Sequence, residues 1–245
     1  MCVNYFPAAD GPVYEQLGLT FDGSYEADSW PAKSAPIIVM SPNTGKPTVV
    51  TALYGLLPRF AKDLTFCRNT YNARSETVAT KPSFKEAWAK GRFCLVPTKA
   101  FVEPYYEPIA DDDHVSVVGL QLQDLEHPLA PPKRFKKPVK WAIGMADGSD
   151  FAIGGLWSWW KDPVTGEGTA SFTMLTLNAD QHPFMNRFHR PGDEKRMPFI
   201  VRPELYETWL TATPELARQM IEPFPAELMG GKPKSAHPAT LADQA

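Results

Sequence analysis

The sequence has no apolar run of membrane-spanning length, few cysteines and no marked excess of charge of either sign. Each scarcity excludes something. Without roughly 20 consecutive apolar residues there is no membrane-crossing helix, and no basic-then-apolar opening marks a secretory signal. A cytoplasmic protein with no membrane partner is expected. The three cysteines, Cys2, Cys67 and Cys94, have neither a disulfide-framework pattern nor paired zinc-ligand spacing. Reduced thiols are therefore the default, and nothing in the ligand spacing asks for a metal or other cofactor. A net charge of −3 gives no overall attraction to nucleic acid, so any DNA contact must come from a local basic face.

What is abundant is proline, at 25 of 245 residues. Proline at that density forbids long helices through most of the chain and favours short strands and turns. Apolar residues at 43% and aromatics at 12% suffice for a globular core. The pattern predicts strands over 36–40 and 48–54, joined as a hairpin, then 92–96, 139–145, 151–160, 171–177 and 199–201. Within 151–160 the Gly154-Gly155 pair predicts close packing at a bend. Short helices are expected over 13–19, 204–210 and 215–220, and one through Trp88 that Ser83 and Glu86 would open as a capping box and Gly91 would close. Residues 71–80 are polar at nearly every position and pattern as neither strand nor helix. Residues 107–138, with Asp111-Asp112-Asp113, Pro131-Pro132 and four basic residues, read as a loop excursion, and 226–245 as a disordered tail. One domain over 1–225 is the organisation these features give.

The most distinctive chemistry lies at the start. A residue as small as Cys2 lets the initiator Met1 be removed, leaving an α-amine and a thiol on adjacent carbons. Such a 1,2-aminothiol condenses with an aldehyde to an imine, and sulfur attack on the imine carbon then closes a thiazolidine ring. Both groups have reactive fractions near neutral pH, and holding them one bond apart makes ring closure intramolecular. Elsewhere, Glu103 sits among apolar and aromatic neighbours that would raise its pKa on burial, with a structural salt bridge as the competing account. Arg59 and Phe60 interleave a charge and a ring, as a loop holding a phosphate and stacking a base would. His189 and, less centrally, His182 lie in a long polar stretch. His114, His127 and His237 fall in the excursion or the tail. Cys67 and Cys94 read as core residues, and Glu76 as a cap or a partner of Arg74.

Together, several pieces resemble one family. Cys2 behind the initiator, Asn72-Ala73-Arg74-x-Glu76-Thr77, Glu103 after an apolar-aromatic run, Gly155-Leu156-Trp157, and His189 leading to Arg196-Met197-Pro198 occur in the order that marks the SOS-response-associated peptidase family. The resemblance implies an α+β, predominantly β fold: a single domain with a curved, barrel-like antiparallel sheet and a few short helices. It implies a monomer that senses abasic sites in single-stranded DNA during the DNA-damage response and crosslinks to them covalently, with possible autoproteolytic peptidase and lyase-type activity. Cys2 would be the nucleophile, Asn72 its orienting partner, Glu103 the general base and His189 the proton carrier at the sugar oxygen. Arg74 and Arg196 would hold flanking phosphates. Two departures stand out. Asn4 replaces the arginine often found two residues after the cysteine, and residues 190–195 intervene between His189 and Arg196, with Pro191-Gly192 predicting a compact turn. Two other readings of the same residues are a cysteine-type peptidase acting through Cys2, and a non-covalent single-stranded-DNA module using Arg59, Phe60 and Arg74.

Overall fold

The structure is a computed structural model that describes residues 3–107 and 136–234. Met1, Cys2, the stretch 108–135 and the tail beyond 234 lie outside the described residues, and with them most of the predicted excursion and His114, His127 and His237. In chain order the elements are β1 (Asn4–Pro7), α1 (Pro12–Gln16), β2 (Ser34–Met40), β3 (Pro47–Tyr54), β4 (Asn72–Arg74), α2 (Lys85–Ala89), β5 (Phe93–Tyr105), β6 (Val139–Met145) and β7 (Phe151–Lys161). They continue with β8 (Gly168–Asn178), β9 (Arg196–Pro198), β10 (Ile200–Val201), α3 (Tyr206–Leu210), α4 (Pro214–Met220) and β11 (Met229–Pro233).

Five strands close on themselves. β2 pairs with β3 and with β5, β5 with β7, β7 with β8, and β8 returns to β3, so the ring has no open edge. The closing contact is parallel and short, Leu53 and Tyr54 against Ser171 and Phe172. The fold is therefore mostly strand with a barrel at its centre and short helices around it. Tyr54 and Phe172 stack inside it, with centroids 5.1 Å apart, and Tyr5 meets Tyr54 edge-on at 5.3 Å.

β5 is the strand that carries the core out to the site. Its first half, Phe93 to Thr98, belongs to the barrel through β2 and β7. Its second half, beyond Pro97, pairs instead with β1 and β6, and ends next to Glu103. β1 runs antiparallel with Asn4 opposite Val102, so the amino end of β1 points to the Glu103 end of β5. The Gly154-Gly155 pair packs as the sequence predicts: a Cβ on Gly154 would fall 2.5 Å from the Phe199 ring, and one on Gly155 2.4 Å from the Thr173 carbonyl oxygen.

Three local expectations are corrected. Ser83 does not cap α2; the helix follows Phe84, with no side-chain cap, because the Phe84 and Lys85 amides already bond the Lys81 carbonyl in a preceding turn. Glu86 turns forward to Lys90 at 2.7 Å rather than back to Ser83. The polar stretch 71–80 contains a strand after all: β4 pairs with β8 in parallel register and buries only Ala73. The tail expected from 226 is ordered as far as 234, since β11 pairs with β6 over its whole length. Gly230 and Gly231 let the two backbones approach, a Cβ at either meeting β6 or its flanking residue at 3.2 Å, so backbone pairing builds this strand without apolar periodicity.

Candidate active site

β4 sets Asn72 and Arg74 two residues apart, hence on one face, with Ala73 turned into the core between them. Opposite lies the loop after β8. Its short 3-10 turn Met185–Arg187 is held by His182, whose Nδ1 accepts from the Phe184 and Met185 amides while Nε2 donates to the Phe224 carbonyl at 2.7 Å. Both nitrogens of His182 are thereby committed to structure.

His189 follows with φ of 63°, a left-handed conformation unusual for a side-chain-bearing residue. Three contacts hold it there. Its amide donates to the Pro104 carbonyl at 2.9 Å, its Nε2 lies 2.8 Å from the Arg196 carbonyl, and the preceding Phe188 bridges to Tyr105. A carbonyl can only accept, so Nε2 carries the hydrogen and Nδ1 is left facing Glu103 Oε2 at 3.3 Å. The intervening 190–195 segment does form the compact turn that Pro191-Gly192 predicts: Gly192 takes φ of 87° and the Asp193 amide returns to the Arg190 carbonyl.

Glu103 and His189 are both buried, at 1% and 7% exposed. Burial pushes the Glu103 carboxyl up to about 8 and pulls the His189 imidazole down to about 4. A charged pair would shift each the other way. At neutral pH the proton therefore sits on Glu103, and His189 Nδ1 is the acceptor of an acid–imidazole hydrogen bond. This is a single mobile proton shared between two groups at the end of β5.

Around this pair is a charge network. Arg196, which was expected to hold a phosphate, is 3% exposed and fully engaged: Nη1 and Nη2 donate to Glu76 at 2.8 and 2.9 Å, Nη1 to Glu194 at 2.8 Å, and Nη2 to the Thr176 carbonyl at 2.7 Å. Its guanidinium is an anchor for the His189 loop rather than an open phosphate contact. Glu76 pairs with Arg196, not with Arg74 as its nearness in sequence suggested. Burial would raise the Glu76 carboxyl, but the Arg196 hydrogen bonds outweigh it and hold the group below its usual range. Arg74, half exposed, meets Glu194 at 2.8 Å. Arg74, Pro104, Tyr106, His189, Arg190 and Glu194 line an open cleft of about 680 Å³.

The other candidates lie apart. Arg59 is exposed, 3.9 Å from Glu86, and Phe60 is 55% exposed and edge-on to Phe66. Their loop is pinned near Ser171 and Trp160, about 15–17 Å along β8 from Thr176. Asn4 is buried, bonded to Asp28 and the Ser29 carbonyl and accepting from Lys234 Nζ at 2.8 Å. Cys67 and Cys94 are buried core thiols. Cys2 lies outside the described residues. Sequence reasoning missed Tyr106 and Glu194. A lone glutamate inside a charged turn carries no signal of its partners.

A family model described as SOS response associated peptidase matches residues 15–236, a span that contains Asn72, Glu103, His189 and Arg196. The chain belongs to this family. It is 26% identical over 179 residues to abasic site processing protein YoqW of Bacillus subtilis (strain 168), covering 72% of this chain and 64% of the relative, and 25% identical to YoaM of the same organism over the same length. The chain thus spans less than two thirds of the length of these curated relatives. Among solved structures, a protein of Bordetella bronchiseptica superposes with a TM-score of 0.75 at 28% identity, covering 96% of this chain and 100% of the other. One from Bacteroides thetaiotaomicron has a TM-score of 0.69 at 21% identity, covering 96% and 93%, a likeness of fold. Among the described residues, no helix is long and apolar enough to cross a membrane.

Proposed function

We propose that this protein captures abasic sites in single-stranded DNA by forming a covalent thiazolidine through the α-amine and thiol of Cys2, once Met1 is gone. The observation that carries the reading is the buried Glu103–His189 pair, placed where the amino end of β1 arrives and opening on a cleft that Arg74 flanks. An aminothiol alone is half of this chemistry. The abasic sugar exposes its aldehyde only after ring opening, and imine formation must expel water; both steps need a proton delivered and taken back. The name of the curated relatives, abasic site processing protein, supports the substrate class.

In this reading His189 and protonated Glu103 relay a proton to the sugar ring oxygen as the aldehyde is released. The α-amine of Cys2 attacks the aldehyde carbon, a carbinolamine forms, and protonation of its hydroxyl lets water leave. The thiol then adds to the imine carbon, its proton passing to the nitrogen, and the five-membered ring closes. Aldehyde plus aminothiol gives thiazolidine plus one water, with no oxidant or reductant. Asn72 orients Cys2 without competing for the proton, being uncharged at every pH of interest. Arg74 holds a flanking phosphate, and Arg196 with Glu76 positions His189.

Purified protein mixed with a labelled single strand bearing one abasic site tests this on a denaturing gel. A band of reduced mobility is expected with the abasic strand and absent with an intact strand or with Cys2→Ala. Asn72→Ala and His189→Ala are expected to slow its appearance by roughly 10²–10⁴-fold for the proton carrier and less for the orienting amide. No band from protein shown by mass to have lost Met1 would refute the reading.

A further inference from the structure

Glu194 belongs to the 190–195 turn, the segment that sets this chain apart between His189 and Arg196. Its two carboxylate oxygens are divided between two arginines: Oε2 lies 2.8 Å from Arg74 Nη1, and Oε1 2.8 Å from Arg196 Nη1, with Asn178 Nδ2 at 3.4 Å from Oε1. Two oxygens on one central atom, each taking an N–H from a different guanidinium, is also how a phosphodiester is held. Arg196 does not need this carboxylate, because Glu76 already meets it through two hydrogen bonds. Arg74 is different. Among the described residues, Glu194 is the acidic group recorded in an ion pair with it, and Arg74 lines the open cleft beside His189. Glu194 is itself about a third exposed, at the rim, so its side chain has water to swing into.

We propose that Glu194 occupies the phosphate position of the cleft in the free protein, and that a phosphodiester of single-stranded DNA binds by displacing this carboxylate from Arg74. The charge count agrees with such an exchange. Arg74 and Arg196 against Glu76 and Glu194 sum to zero, and withdrawing the Glu194 carboxylate to solvent leaves one positive charge for one phosphate to neutralise. The consequence is selectivity. Intact DNA, which offers only phosphates, must pay for the displacement and leaves easily, whereas an abasic strand is retained by its bond to the protein.

The inference rests on the DNA reading proposed above, and the test separates the two. Affinity for an intact mixed-sequence single-stranded oligonucleotide is measured by fluorescence anisotropy across a salt series for wild type, Glu194→Gln, Asp193→Asn, Arg74→Ala and the Arg74→Ala/Glu194→Gln double variant. Glu194→Gln is expected to bind roughly two- to fivefold more tightly at low salt, the equivalent of one exposed ion pair. Its slope of log affinity against log salt should steepen by about 0.7, one further single-strand phosphate contact. The gain should vanish in the Arg74→Ala background. Asp193→Asn removes the same charge from the same turn without freeing Arg74, and should leave the slope unchanged. An equal gain from Asp193→Asn, or none from Glu194→Gln while wild type binds and crosslinks, overturns the role of Glu194 alone. Wild type that neither binds the intact strand nor crosslinks the abasic one overturns the DNA reading with it. Should Glu194→Gln fail to fold, Glu194→Asp shortens the reach by one methylene and is expected to give a smaller gain of the same kind; no gain there overturns the proposal.

Discussion

A carboxyl held near 8 beside an imidazole held near 4 inverts the arrangement that two such groups adopt in water. The inversion has a consequence for stability that can be read with a pH meter and a calorimeter. Glu103 is raised in the folded state above its unfolded value, so the folded protein keeps a proton that the unfolded chain has shed. Its contribution is fully present below the unfolded carboxylate range and is lost as pH rises through about 8. His189 runs the other way: it is depressed, so the unfolded chain binds the extra proton, and stability falls as pH drops from about 6.5 towards 4. Glu103→Gln keeps the shape of the protonated acid and cannot ionise. It is expected to match wild type near pH 6 and to exceed it at pH 9 by on the order of 1–3 kcal/mol, the cost of a buried group left charged, while losing crosslinking. Thermal unfolding of both proteins at the two pH values checks this; a wild type equally stable at pH 9 would contradict the assignment of the proton to Glu103. The residue types at this site were readable from the sequence, since Asn72, Glu103 and His189 stand in a recognisable order. Which charges face outward was not. Arg196 looks like any phosphate-binding arginine until Glu76, 120 residues away, is seen against it.

At the scale of the elements, β5 and β7 decide where that proton pair sits. Only glycine fits at 155, because a Cβ there would lie 2.4 Å from the Thr173 carbonyl oxygen and 3.0 Å from Cys94 Sγ. The β5–β7–β8 seam is the wall of the barrel at this point. Gly155→Ala should therefore cost about 1–3 kcal/mol, a few degrees in Tm for a chain of this size, through overpacking rather than lost chemistry. An unchanged Tm would mean that the seam has slack and that the glycine is there for another reason. The hairpin of β2 and β3, the strands from β6 to β8 and the turn at Pro191-Gly192 were all legible, since each is encoded by neighbours in sequence. β4 and β11 were not. Both are held by backbone pairing to a distant strand, one buried alanine in the first and two glycines in the second, and neither leaves an apolar rhythm to read.

For the molecule as a whole, the late strand β11 and the early strand β1 are tied together. Lys234 Nζ bonds Asn4 Oδ1 and Asp28 Oδ2, both at 2.8 Å, and lies over the Phe6 ring at 4.8 Å. Asn4 thus stands two residues from Cys2 as a buried structural contact, where an arginine would have offered a free charge. Lys234→Ala should remove two charge-assisted hydrogen bonds, lower stability by roughly 1–2 kcal/mol and let β1 fray. Faster hydrogen exchange at the Tyr5 and Ser29 amides, which pair across this junction, checks it; unchanged protection there would show that β5 alone holds β1. Because the net charge is −3, the account predicts modest, salt-sensitive attraction for intact DNA and retention that depends on the covalent bond.

That bond is the central claim, and its location is its most direct test. Protein incubated with an abasic single strand is digested with nuclease and protease, and the amino-terminal peptide is sequenced by mass spectrometry. The account predicts an adduct on Cys2, with Met1 absent and a mass equal to peptide plus sugar aldehyde less one water. An adduct on a lysine or on Cys67, or an unmodified Cys2 peptide from crosslinked protein, would contradict it.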